Sequence, residues 1–122
     1  MRKTLTFTFI LVSNLSGCST PSDVAATKSL GVVTASGDIN AATYCVRKRK
    51  ESEGTLYNSV AGLDFFPTPN GTELHLYGHG DHRVTMAIAY YSRTESGYSV
   101  DVKATELANG NQLLKWVRSC AS

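Results

Sequence analysis

The sequence predicts an α+β domain: an antiparallel four-stranded sheet with an N-terminal and a C-terminal helix packed on one face. Three observations carry that expectation. Four segments between residues 60 and 104 alternate apolar and polar side chains, and turn-forming Gly, Asn and Pro separate them. Two other segments, at 38–50 and 111–118, set apolar side chains at helical spacing. Cys45 lies inside the first of these and Cys120 follows the second, so a disulfide between them would join the two helices.

Taken in order, Asp38 is a suitable N-cap, because its carboxylate accepts from the orphan N–H groups of a first turn. Ile39, Ala42, Cys45, Val46 and Arg49 then fall on one face. Arg47-Lys48-Arg49-Lys50 places positive charge where the helix dipole favours it, and Gly54 ends the helix. Val60 to Phe66 is the first strand, interrupted by Gly62 and stopped by Pro67. Thr68-Pro69-Asn70-Gly71 is a turn built on Asn-Gly. Thr72 to Tyr77 is the second strand, with Leu74 and Leu76 on one face and Glu73, His75 and Tyr77 on the other. Gly78-His79-Gly80-Asp81 turns the chain into the third, His82 to Tyr91, whose Val84, Met86, Ile88 and Tyr90 alternate with Arg83, Thr85, Ala87 and Ala89. After Thr94-Glu95-Ser96-Gly97, the fourth runs from Tyr98 to Ala104 with Tyr98, Val100, Val102 and Ala104 inward. Asn109-Gly110-Asn111 breaks the chain before a short helix, Asn111 to Arg118, whose Leu113, Trp116 and Val117 share a face with Cys120.

The N-terminal segment has a different character. Arg2 and Lys3 precede an apolar run from Leu5 to Val12. That is the layout of a secretory signal, and the run is far shorter than a spanning helix needs. Leu15-Ser16-Gly17-Cys18 resembles the lipobox of bacterial lipoprotein precursors. The resemblance covers residues 1–20. It implies that a signal peptide, 1–17, is removed before Cys18 and that acyl chains on the Cys18 thiol hold the protein on a membrane. An ordinary signal peptide with a cysteine near its end is the alternative. Ser19, where an inner-membrane lipoprotein of enteric type has Asp, implies the outer membrane, with the domain on the periplasmic side of the cell envelope. Residues 18–36, rich in Ser, Thr and Ala, read as a lipidated flexible tether with at most a short strand at Val32-Val33-Thr34, and 37–122 as a single small domain.

The formal net charge of +2 resides in Arg2 and Lys3, so a mature chain is formally neutral and nothing points to nucleic acid. With Cys18 acylated, Cys45 and Cys120 remain. An oxidising compartment favours their pairing, worth about 4 kcal/mol through loop-closure entropy.

Chemistry-bearing residues are few. His75, His79, Asp81 and His82 cluster around one turn, and imidazole with carboxylate suits zinc, copper or nickel; a solvated polar turn is the plain alternative. Arg47 and Lys48 suit an anionic headgroup or glycan, or simply a solvated helix end beside Glu51 and Glu53. Tyr77 and Tyr91 suit a binding surface on an open sheet face, or a cross-strand pair. Asp64, Glu73, Asp81 and Asp101 include no acid pair that spacing singles out. There is no G-x-S-x-G elbow and no phosphate loop, so the reading is non-enzymatic and without a cofactor.

The expected role is a binding or structural module of the envelope, with an envelope protein or a glycan as partner. The layout of a lipobox, one early cysteine and one cysteine near the C-terminus is similar to that of the membrane-bound lysozyme inhibitors, and Ser96-Gly97-Tyr98 stands nearest to that family's Ser-Gly loop. This likeness implies an eight-stranded barrel and inhibition of a foreign hydrolase. A metal-binding role built on the histidines is the third reading.

Overall fold

Thr20 caps the short helix α1 (Pro21–Ala25). Its hydroxyl accepts from the Asp23 N–H, and the Asp23 carboxylate accepts from the Thr20 N–H at 2.9 Å. This is a reciprocal capping box, and Pro21 fits the first helical position because no partner exists there for an N–H. The structure, a computed structural model, describes residues 20–53, 60–78 and 84–121. After α1 come β1 (Ser29–Ala35), α2 (Ile39–Glu53), β2 (Val60–Thr68), β3 (Gly71–Gly78), β4 (Val84–Arg93), β5 (Tyr98–Ala104) and α3 (Leu107–Ser119).

Among the described residues the sheet has five strands in the order β1-β5-β4-β3-β2, every neighbouring pair antiparallel, and there are three helices. The expectation of four strands and two helices is therefore corrected. Both added elements come from the segment read as tether. β1 pairs along β5, with Val33 opposite Val100 and Ala35 opposite Tyr98. Gly31 and the small polar residues around Leu30, Val32 and Val33 dilute its apolar signal, and an edge strand needs a partner on one side only. The eight-stranded barrel implied by the likeness to lysozyme inhibitors is not formed; the Ser96-Gly97 turn joins β4 to β5, where Gly97 abuts the Ala35 carbonyl at the end of β1.

α2 and α3 cover one face. Asp38 caps α2, its carboxylate accepting from the Ala41 N–H at 3.0 Å. Ile39, Ala42 and Val46 of α2, Leu113, Leu114, Trp116 and Val117 of α3, and Leu74, Leu76, Val100 and Val102 of the sheet form one buried cluster. Each of the larger side chains contributes about 1.5–3 kcal/mol by burial. The Cys45–Cys120 disulfide joins α2 to the end of α3, with Cα atoms 5.7 Å apart across 75 residues of chain.

Two local expectations fail for identifiable reasons. α3 begins at Leu107, so Asn109-Gly110 lies inside the helix. Gly110 is there for closeness: a Cβ would collide with the Ala104 side chain and come within 2.6 Å of Leu30 Cδ1. On β4, Tyr91, expected on the open sheet face, turns to the helix side. Leu76 pairs Ala87 and Tyr77 pairs Thr85, so Met86 is an extra residue, a β-bulge. Beyond it Ala87, Ala89 and Tyr91 belong to the helix-side cluster, while Ile88 lies outside that cluster. A one-residue insertion moves every later side chain to the other face.

The second face is partly covered by α1, which packs on β4 and β5. Val24 of α1 and Ile88 of β4 are fully buried there, and Lys103 Nζ donates to the Ala25 carbonyl at 3.2 Å.

Candidate functional site

The part of this second face left open by α1 is a cleft of about 520 Å³ between α1 and strands β2, β3 and β4. Alternation builds it. On β3, Glu73, His75 and Tyr77 point away from the helices because Leu74 and Leu76 point towards them. On β2, Asp64 stands opposite His75, and Phe66 opposite Glu73. The β4 bulge turns Thr85 into the same face opposite Tyr77. Pro67, Thr68 and Pro21 of α1 complete the lining.

His75 is the centre of the arrangement. It is 8% exposed, and its Nε2 lies 2.9 Å from Glu73 Oε1. An ionised carboxylate only accepts, so Nε2 carries the proton and donates. Phe66 stands edge-on to the imidazole, ring centroids 4.5 Å apart at 61°. The imidazole is thus fixed between a ring and a carboxylate. Glu73, one third exposed, keeps acceptor capacity on both oxygens beyond this bond. Among the described residues the lining carries the carboxylates of Asp64 and Glu73 and no Lys or Arg.

Tyr90 lies on the same face, opposite Glu73 on β3 and Asp101 on β5. Its hydroxyl is buried without a partner among the described residues. Burial, then the carboxylates of Glu73 and Asp101, push its pKa up.

Comparison with known protein families, curated proteins and solved structures finds no match.

The residues singled out in the sequence are dispersed. His75 turns into the cleft, while His79, Asp81 and His82 lie outside the described residues, as does Cys18 with the whole signal segment. Among the described residues no three His, Cys, Asp or Glu side chains converge as a metal-binding set. Tyr77 lines the cleft, but Tyr91 does not join it: it is 2% exposed on the opposite, helix-covered face, its ring 5.7 Å from that of Tyr98. The bulge at Met86 is the reason. Arg47 and Lys48 are exposed on α2 and do not line the cleft, although Arg47 shares a smaller hollow with Tyr77, which does. Arg47 caps the Phe65 ring at 4.3 Å, and Lys48 pairs with Glu51 at 3.7 Å, an exposed contact worth little.

Phe66, Thr85 and Pro21 carry no signal of function in the sequence. Asp64 and Glu73 were two carboxylates among many. The alternation of β2 and β3 places both on the face opposite the leucines, but only the strand register shows that they flank one imidazole.

Proposed function

We propose that the chain is an envelope lipoprotein whose domain is a binding module, working through the cleft between α1 and β2–β4. The observation that carries this reading is the cleft itself: a concave site with aromatic walls and a few fixed polar groups, the usual form of a small-ligand site. Its position suits the lipobox. Pro21, which lines the cleft, is three residues from Cys18, and three residues reach at most about 11 Å. An acylated Cys18 therefore holds the cleft at the membrane surface, the domain seated directly on its anchor.

Two experiments test the reading. Metabolic labelling with a palmitate analogue marks the wild type and leaves Cys18→Ser unmarked; equal labelling removes the lipid anchor. Photo-crosslinking from position 68 in intact envelopes captures a glycan, lipid or protein partner that Glu73→Gln loses. Capture that is indifferent to Glu73→Gln removes the cleft as the binding site.

A further inference from the structure

We infer that β1 pairs with β1 of a second copy of this chain, antiparallel about a two-fold axis at Val33, so that two sheets run on as one. The inference goes beyond the binding-module reading and rests neither on the cleft nor on the lipid.

The two edges of the sheet are built differently. β2 carries Pro67, which offers no N–H, an acid at Asp64, and a bulge between Val60 and Gly62. These are devices that keep an edge strand from adding a neighbour. β1 has no proline and no charged residue from Ser29 to Ala35. Its own irregularity is confined to the stretch between Ser29 and Gly31, and Gly31 to Ala35 pair in regular register with Val102 to Tyr98 of β5. Among the described residues β5 is its one strand neighbour, so alternate N–H and C=O groups of β1 turn away from the sheet.

The side chains suit a copy of themselves. Val33 is the middle of the regular stretch. A two-fold axis there, perpendicular to the sheet, sets Val33 against Val33, Gly31 against Ala35, and Val32 against Thr34 of the second copy. Val33 and Ala35 pack on the helix side, so Val32 and Thr34 stand on the other face. Val32 is 60% exposed there, although it is apolar and β-branched, and Thr34 is exposed beside it. The pairing covers both residues, and does so twice. Charge agrees. The Arg118 guanidinium lies over Gly31, 3.4 Å from where a Cβ would stand, and makes no ion pair among the described residues. Ala35 of the second copy comes opposite Gly31, and Asp38 follows Ala35 by three residues, so each Arg118 meets an acidic end. The clefts, on β2 to β4, lie away from the joint and stay open.

The test counts chains. Full-length protein in detergent is measured by light scattering, with the detergent's share of the mass subtracted. Two chains per particle are expected in the wild type, with a Kd on the order of 10 µM, because a single ribbon buries less than a standard interface. Val32→Lys with Thr34→Lys sets lysine against lysine across the joint. It is expected to give single chains whose far-UV circular dichroism and melting curve match the wild type. Val32→Lys with Thr34→Glu sets lysine against glutamate and is expected to restore the pair. Single chains in the wild type well above that Kd overturn the inference. So do pairs that persist in the double-lysine variant, or a lysine–glutamate variant as monomeric as the double-lysine one.

Discussion

Tyr90 and Tyr91 on β4 and Tyr98 on β5 hold their phenols where ionisation is disfavoured. Burial, reinforced by Tyr98, pushes the Tyr91 pKa well up, and burial raises that of Tyr98 as well. The folded protein thus keeps protons that the unfolded chain releases near pH 10. The sign follows: this contribution to stability is complete below about pH 10 and is lost as pH rises above it. Urea unfolding across that range is expected to show stability falling with pH in the wild type and falling less steeply in Tyr91→Phe; parallel slopes would show that Tyr91 is not the group responsible. Tyr90 makes the opposite case. Its hydroxyl is buried without a partner among the described residues, and an orphaned buried polar group costs about 1–3 kcal/mol. Tyr90→Phe is expected to leave stability unchanged or raise it by up to about 1 kcal/mol. A clear loss in thermal unfolding would mean that the hydroxyl is satisfied. Neither environment is written in the local sequence, where Tyr90 and Tyr91 are adjacent and alike; the strand sends one to each face.

Individual elements show where local pattern is enough and where it is not. α2 was legible because its cap, its apolar face and its basic end all lie within one continuous segment. Asp38→Ala is expected to lower stability by about 1 kcal/mol, measured by heat or urea, through loss of the bond to the Ala41 N–H. The start of α3 was not legible, since Gly110 has the same identity whether it breaks a helix or lets one approach a sheet. Its neighbours decide, and Leu30 is far away in sequence. Gly110→Ala separates the two roles. Helix propensity alone would stabilise it by up to about 1 kcal/mol, whereas the collision with Ala104 and Leu30 is expected to destabilise it by about 1–3 kcal/mol. β4 teaches the same lesson. The alternation of Val84, Met86, Ile88 and Tyr90 is real, but the bulge opposite β3 decides which set meets the helices, and a bulge is a property of the pair of strands.

In the whole molecule, one covalent bond and one sheet set the geometry of the site. The Cys45–Cys120 disulfide closes a 75-residue loop that contains β2 to β5 and all of α3. Replacing both cysteines by alanine is expected to cost about 2–5 kcal/mol, a large share of the roughly 5–15 kcal/mol available to a small domain. A melting temperature unchanged by reductant would contradict that. The pairing was legible because, with Cys18 set aside as the expected lipid site, Cys45 and Cys120 are the two cysteines that remain. The cleft was not, because it draws Pro21 from one end of the chain, Phe66 and His75 from the middle and Thr85 from beyond a turn, and only the assembled sheet brings them together. The central claim, a cleft facing the membrane beside its anchor, is tested most directly by carbodiimide labelling of carboxylates, read by mass spectrometry on protein anchored to vesicles and on Cys18→Ser free in solution. Anchoring is predicted to shield Asp64 and Glu73 severalfold while Asp38 and Glu51 on α2 label equally in both forms. Equal labelling of all four in both forms, or shielding of the α2 pair instead, would contradict it.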